Sequence, residues 1–341
     1  MAEYIEVDGR RVRLRPVETV SEIDEYGNFH RQPNRFTVGF GDGKNPVEKD
    51  RYILFWAKGC NWSNRAAIVR ELLGLQDAIK VEIVDNTGWH NGRSLGWEFV
   101  NSPDHINPET GARFLSELYD NADPTYEGRP TVPAFVDYTT KKVVNNDYHR
   151  LTNYLELDFK PFHKPNAPDL YPEELREEID QLNAWLFDNV NNAVYRAQFA
   201  QSLQAFSDAY ETFFAGLDAM DKRLEQNRFL FGDYVTDSDV RLFVTLARLD
   251  VGYSRNIGPC KHRLVDYKNL WPYARDLYQI PAFAHNTYFK DFAFTTEEGE
   301  GQRSAYYDMV VPSTDFDAIW KTPTDRESLS ADPARKFRPE R

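Results

Sequence analysis

The sequence predicts an α/β N-terminal part followed by an all-helical C-terminal part. Three observations carry this: a strand, helix, strand succession over residues 51–84, long helical periodicity from about residue 172, and a proline-rich piece between them at 160–172. With 341 residues the chain has room for two domains, each with its own core.

The first fifty residues are rich in Arg, Glu, Gly, Asn and Pro and read as an extended lead-in. Organisation begins at Arg51-Tyr52-Ile53-Leu54-Phe55-Trp56, a short apolar, β-rich run that fits a buried strand. A turn at Lys58-Gly59 follows. Ser63 stands where a helix N-cap would, ahead of the run Ala66-Ala67-Ile68-Val69-Arg70-Glu71-Leu72-Leu73, and Gly74 closes that helix. Lys80-Val81-Glu82-Ile83-Val84 is the second strand, and the spacing makes a βαβ unit with parallel strands.

The stretch from Asp85 to Pro130, with Trp89, His90, Trp97 and a helix-like run at 114–119, is too long for an ordinary connection and reads as a purposeful insertion. A third strand, Thr131-Val132-Pro133-Ala134-Phe135-Val136-Asp137, is interrupted by proline, which requires an edge, a bend or a cis peptide there. Lys142-Val143-Val144 is the fourth strand. Helical patterns then cover 173–190, 194–224, 237–250 and 270–278, and Thr236 with Asp239 fits a capping box. The expected division is a lead-in at 1–50, an α/β domain at 51–160, a helical domain at 172–295 and an irregular tail at 296–341.

Composition narrows the function classes. With 54 acidic and 41 basic residues the formal net charge is −13, which argues against sequence-independent nucleic-acid binding and against an anionic membrane surface. No apolar run reaches the roughly 18 residues of a membrane span, and the start lacks the pattern of a signal peptide, so a cytoplasmic protein is expected. Two cysteines, Cys60 and Cys260, make neither a disulfide framework nor a four-thiolate zinc site. His90 and His105, without a nearby Asp or Glu at helical spacing, make a weak case for a metal site and read as surface groups. The glycines form no phosphate-binding fingerprint.

The most informative segment is Gly59-Cys60-Asn61-Trp62-Ser63-Asn64-Arg65, a single cysteine between a buried strand and a helix N-terminus. Orphan amides and the positive dipole end of the helix stabilise a thiolate there. Ser63 occupies the place of the second cysteine of a Cys-x-x-Cys motif, so a mixed disulfide at Cys60 needs an external thiol to resolve it. A buried structural cysteine is the alternative reading. Pro133 favours the first, because a thioredoxin-like layout sets a cis-proline loop beside the cysteine, with the residue before it, Val132, offering backbone bonds to a thiol ligand. Tyr253, Arg255, His262 and Arg263 lie near Cys260 and read as a solvated loop, with contact to a ligand ring as the alternative. Trp185, Phe187, Phe213 and Phe214 read as core or interface packing.

The chain resembles the glutathionyl-hydroquinone reductases, the xi class of glutathione transferases. The resemblance rests on residues 51–70, on Leu118-Tyr119-Asp120-Asn121-Ala122-Asp123-Pro124-Thr125-Tyr126, on Thr131-Val132-Pro133 and on Val144-Asn145-Asn146-Asp147. In the helical half it rests on Asn191-Asn192-Ala193-Val194-Tyr195-Arg196-Ala197, on residues 232–243, and on Asp276-Leu277-Tyr278-Gln279-Ile280-Pro281. It implies a thioredoxin-like N-terminal domain that binds glutathione or another low-molecular-weight thiol as co-substrate, an all-helical C-terminal glutathione transferase domain facing an aromatic substrate, a homodimer, and no metal. It also implies roles: Cys60 the nucleophile, Trp62 packed on the thiol ligand, Val132 and Pro133 binding its backbone, Asp147 and Tyr148 at its γ-glutamyl end, and Tyr195 facing the aromatic ring.

The sequence departs from the family in three places. Cys-Pro-Trp-Ala is here Cys60-Asn61-Trp62-Ser63; a Glu-Ser pair that grips the γ-glutamyl group is Asp147-Tyr148; a tyrosine pair near the domain end aligns with Ala293-Phe294. The second change predicts weaker glutathione binding, and the third leaves fewer phenolic proton donors. The expected function is a cysteine-dependent thiol transferase or reductase acting on glutathionyl-hydroquinones or related aromatic thioethers through a Cys60 mixed disulfide. The alternative is a non-catalytic or differently specialised ligand-binding member of the same fold.

Overall fold

The computed structural model describes residues 3–14, 22–85, 89–90, 93–94, 96–257, 261–292 and 311–338. The chain forms two compact units, one of Met1–Glu22 with Arg31–Lys164, the other of Ile23–His30 with Pro165–Arg341.

The first unit opens with an antiparallel pair, β1 (Glu3–Val7) and β2 (Arg10–Leu14), inside the stretch expected to be an extended lead-in. Asp8 and Gly9, at φ of 48° and 76°, supply the left-handed conformations that a two-residue hairpin turn needs. Val12 buries against Phe114, and Arg13 Nη1 donates to the Tyr126 carbonyl at 3.2 Å, so the hairpin covers the insertion.

The central sheet has the order β4-β3-β7-β8. β3 (Tyr52–Trp56) is buried along its whole length, as a continuous apolar run in a central strand must be. Helix α1 (Asn61–Leu72) returns the chain to β4 (Ile79–Ile83), parallel to β3 with Tyr52 opposite Ile79. Gly74 at φ 73° follows the helix end, as its position predicts. The insertion carries a small hairpin, β5 (Trp89–His90) with β6 (Arg93–Ser94), then helix α2 (Leu115–Ala122). Bridges from Glu98 to Asp85 and to Phe114 fix its return. β7 (Ala134–Asp137) and β8 (Lys142–Asn145) run antiparallel beside β3, and α3 (Leu151–Leu157) packs on α1. Ile53, Phe55, Leu115, Leu118 and Val136 join one core cluster; Tyr52, Phe135, Phe40 and Phe159 form an aromatic one, with Tyr52 stacked 5.0 Å from Phe135. This is the thioredoxin-like half that the βαβ spacing and the proline-interrupted strand predict.

The second unit is helical. The pattern expected over 173–190 is a single 3₁₀ turn, then α4 (Arg176–Leu186) and a π-helical turn (Phe187–Asn191). The long helix expected over 194–224 is two: α5 (Ala193–Phe199) and α6 (Leu203–Arg223). They part where Gly27 docks. Gln201 N–H donates to the Gly27 carbonyl at 2.9 Å, Ser202 Oγ donates to the Tyr26 carbonyl at 2.7 Å, and a Cβ on Gly27 would lie 2.8 Å from the Ser202 nitrogen. Ser202 then caps α6 by accepting from the Ala205 N–H. A tertiary contact has overridden helical propensity at this point.

Helix α7 (Asp237–Arg248) is buried on every side and stops two residues short of the expected end, passing into a π-helical turn (Leu249–Tyr253) and the short α8 (Ser254–Asn256). α9 (Leu270–Tyr278) matches its predicted span, and α10 (Pro281–His285) and α11 (Phe289–Phe292) follow. The stretch expected to be an irregular tail contains α12 (Val311–Ser313) and α13 (Phe316–Trp320); Trp320 packs 4.9 Å from Phe289 and 5.1 Å from Trp271. Beyond it, Lys336 pairs with buried Asp276 at 2.8 Å. Burial of an indole and of an ion pair explains why this segment is built into the unit despite its polar composition.

The capping box at the head of α7 is present. Asp239 accepts from the Thr236 N–H at 2.8 Å, the Thr236 hydroxyl at 2.9 Å, the Leu230 N–H at 2.9 Å and the Tyr273 hydroxyl at 2.8 Å. Four donors converge on one fully buried carboxylate, so its removal strands them. Asp239→Asn, which loses the charge and one acceptor oxygen, is expected to cost about 2 kcal/mol, lowering the thermal midpoint by roughly 4–8 °C. Unchanged melting in calorimetry would show that the box is dispensable.

Candidate functional site

Cys60 is the N-cap of α1, a place the sequence had indicated for Ser63, three residues on. The extended backbone of Cys60 (φ −80°, ψ 117°) lets its carbonyl start the helix, accepting from the Asn64 N–H at 3.1 Å, while its own N–H donates to the Ala57 carbonyl at 2.9 Å and closes the Lys58-Gly59 turn. The thiol therefore sits at the positive end of α1 beside its orphan amides. Ser63 is instead fully buried in the first turn.

The Val132–Pro133 peptide is cis, which resolves the three options for the proline. It brings the Val132 carbonyl to the cysteine, and Cys60 Sγ donates to it at 3.5 Å. The approach to this loop is held from below. Tyr119 Oη donates to the Thr131 carbonyl at 2.8 Å, and Asn146 Nδ2 donates to both Tyr119 Oη and Thr131 Oγ1 at 3.2 and 3.3 Å. Tyr119 is fully buried, and burial holds its phenol well above the usual range, so it stays a neutral donor.

Trp62 is almost wholly buried, and three polar side chains gather on it. The guanidinium carbons of Arg31 and Arg65 lie 4.8 and 4.6 Å from its ring, and Tyr148 packs 5.0 Å away at 44°. Burial raises the Tyr148 phenol, against the pull of Arg31 and Arg65, which favour its ionised form. Asp147 is 8% exposed. Its Oδ1 accepts from Asn34 Nδ2 at 3.0 Å and from the His149 N–H at 3.1 Å, and its Oδ2 accepts from no donor among the described residues. A carboxylate oriented this way retains an oxygen for an ammonium group.

In the helical unit, Tyr195 on α5 is half-buried, with its hydroxyl 3.1 Å from that of Tyr253. Tyr253 is buried in the π-helical turn after α7, not part of a solvated loop. Its sequence neighbours are engaged locally: Arg263 pairs with Asp266 at 2.8 Å and His262 packs 5.6 Å from Tyr267. Cys260 and the Ala293-Phe294 pair lie outside the described residues. Phe213 and Phe214 are core, as expected, whereas Trp185 is exposed at 36%.

Among the described residues no cluster of His, Cys, Asp and Glu is arranged to hold a metal. His105 Nδ1 instead faces the nearly buried Glu98 at 3.0 Å, which also accepts from Arg113 at 2.8 Å. No described helix is long and apolar enough to cross a membrane. Sequence reasoning did not find Asn34, Arg31, Arg65, Tyr119 or Asn146 around the thiol, nor the pairing of Tyr253 with Tyr195. Their signals are weak singly, since all but Arg65, which lies one turn from Trp62 on α1, act through a neighbour distant in sequence.

The sequence pattern of the glutathione S-transferase C-terminal domain matches residues 195–276. The chain is 38% identical to the glutathionyl-hydroquinone reductase YqjG of Escherichia coli (strain K12) over 251 residues, 73% of this chain and 75% of that one. Among solved structures, a glutathione transferase from Gordonia bronchialis is 36% identical with a TM-score of 0.75, covering 86% of this chain and 91% of that one. The glutathione S-transferase Xi from Phanerochaete chrysosporium is 35% identical with a TM-score of 0.72, covering 77% and 90%.

Proposed function

Because the chain belongs to the glutathione transferases, on the xi-class branch with the glutathionyl-hydroquinone reductases, we propose that it reduces glutathionyl-hydroquinones or related aromatic thioethers through Cys60. The chain is an enzyme of the glutathione transferase type. The observation that carries the finer reading is the position of Cys60, capping α1 with its sulfur against the carbonyl of a cis Val132–Pro133 peptide.

In this reading the glutathionyl part lies along the cis-proline loop, with Val132 bonding its backbone, Trp62 packing on it and Asp147 Oδ2 receiving its ammonium. The Cys60 thiolate attacks the glutathionyl sulfur. A sulfur–sulfur bond forms, the sulfur–aryl bond breaks, and its electron pair leaves with the ring, which takes one proton from Tyr195 and becomes the free hydroquinone. A glutathione thiolate then attacks the mixed disulfide, giving glutathione disulfide and regenerating Cys60. Two sulfurs, that of the thioether and that of the attacking glutathione, lose one electron each, and the ring carbon gains both. Ser63 stands where a Cys-x-x-Cys motif has its second cysteine, so in this reading an external thiol carries out the second step. The resemblance carries a homodimer with it.

The test is intact mass after incubation with glutathione disulfide. A single glutathionyl adduct is expected on the parent and none on Cys60→Ala. An unmodified parent, or an adduct that persists in the variant, would defeat the assignment.

A further inference from the structure

Residues 34–38, inside the expected lead-in, are stitched to the chain leaving β8 at three successive places. Asn145 Nδ2 donates to the Val38 carbonyl at 3.0 Å. Asn146 and Phe36 exchange two bonds, the Asn146 N–H donating to the Phe36 carbonyl at 2.8 Å and the Phe36 N–H to Asn146 Oδ1 at 3.1 Å. The third stitch is Asn34 Nδ2 donating to Asp147 Oδ1 at 3.0 Å. Asn34 is fixed from both sides. Gln32 donates to Tyr126 Oη at 2.9 Å and accepts from the Arg129 N–H at 2.9 Å, while Phe36 packs edge-on against Tyr119 and Tyr126 at 5.4 and 5.5 Å. Arg35 is committed to Asp123 at 3.1 Å, so the group this segment turns to Asp147 is a neutral amide and not the adjacent cation.

The backbone of Asp147 is held as well, its N–H donating to Asn145 Oδ1 at 2.9 Å and its carbonyl accepting from the Leu151 N–H at 2.8 Å. The local bond from the His149 N–H ties down Oδ1 alone. A second donor on the same oxygen sets the plane of the carboxylate, because donors approach sp² oxygens near that plane. Asn34 supplies it from 113 positions away, and the direction of Oδ2 is then fixed. We propose that Asn34 is a positioning residue that makes the site selective for thiols bearing a free primary ammonium. The inference rests on the reading of Asp147 Oδ2 as the ammonium acceptor. A neutral amide orients the carboxylate without cancelling its charge, whereas a cation at position 34 would form an internal ion pair and compete with the ligand. Aim matters more for Asp147 than for the longer Glu of the family, since the shorter arm reaches less far. A carboxylate aimed before the ligand arrives also spends less of the binding energy on ordering. An acylated amine, neutral and with one N–H, gains little from an oxygen held this way.

The experiment is calorimetric binding of glutathione, and of glutathione acetylated on its amino group, to the parent, Asn34→Leu, Asp147→Asn and the double variant. The parent is expected to prefer free glutathione by about tenfold or more, the worth of a charge-assisted bond. Asn34→Leu keeps the side-chain volume and removes the donor. It should weaken free glutathione about tenfold and leave the acetylated form within about twofold, so the preference collapses. A merely structural role would weaken both ligands together. The double variant should bind glutathione no more weakly than Asp147→Asn, because Asn34 acts through Asp147. If Asn34→Leu folds poorly, Asn34→Ala removes the same donor with less bulk and carries the same expectation. A parental preference in the Asn34 variant, alongside a lost preference in Asp147→Asn, overturns this inference alone. A parental preference in Asp147→Asn, or none in the parent, overturns the Asp147 reading and this inference with it. The role of Cys60 is read separately, by its glutathionyl adduct.

Discussion

Turnover of a glutathionyl-hydroquinone by Cys60→Ala is expected to fall by at least roughly 10³-fold, since losing the nucleophile removes the covalent route instead of weakening it. Cys260→Ala should keep most of the activity. The geometry also supplies a control for mere structural damage. Cys60 is the N-cap of α1, and serine caps a helix better than most residues, with an oxygen that accepts from the orphan amides. Cys60→Ser should therefore melt at or above the parental temperature while turnover is lost. If Cys60 were only a packing residue, the two measurements would fall together. Equal losses in the Cys60 and Cys260 variants, read by single-turnover kinetics, would sink the nucleophile assignment.

The fold was legible where pattern and burial coincide. The strand at 52–56 is apolar throughout because both faces of the sheet are covered, and α9 is found on its predicted span because its amphipathic stripe ends where Gln279 and Pro281 follow. Legibility failed where a distant segment decides the local conformation. Nothing in residues 194–224 announces a break at 200–202, since the partner that makes it, Gly27, is more than 170 positions away. The hairpin at Val7-Asp8-Gly9-Arg10 is a different case. An Asp-Gly pair between alternating residues is a local signal for a two-residue turn, and it was available from the sequence.

The site divides along the same line. The placement of Cys60 at a helix start and of Pro133 at a break before a strand was readable, because both are local facts. The helix start was misplaced by three residues, as serine is the commoner cap and cysteine has little capping preference to weigh against position. Arg31 and Tyr148 reach Trp62 from two distant segments that leave no periodic trace, and Arg65, one turn along α1 from Trp62, reads by itself only as a charged helix residue. Tyr253 was set aside with its charged neighbours because a run such as Ser254-Arg255-Asn256 looks solvated. The π-helical turn that buries it has no distinct composition of its own.

Tyr195→Phe is expected to slow turnover of a glutathionyl-hydroquinone by about 10²-fold, within the range for lost general acid catalysis. Displacing the ring from sulfur leaves negative charge on the ring carbon or its conjugated oxygen, and a phenol within hydrogen-bond reach neutralises it as the charge develops. The substitution keeps the ring, its stack on Phe199 and its edge contact with Tyr253, removing one oxygen. The loss should depend on the leaving group. Electron-poor quinone thioethers give a more stable ring anion and need the acid less, so their rates should fall less than those of electron-rich ones. Formation of the Cys60 mixed disulfide from glutathione disulfide should persist, because a thiolate leaving group carries its own charge at neutral pH and needs no phenol. If the Tyr195 hydroxyl served only packing, losing its bond to Tyr253 would cost about 1 kcal/mol of stability and would slow every substrate alike. Uniform slowing across leaving groups, or parental turnover, would mean that the proton reaches the ring by another path.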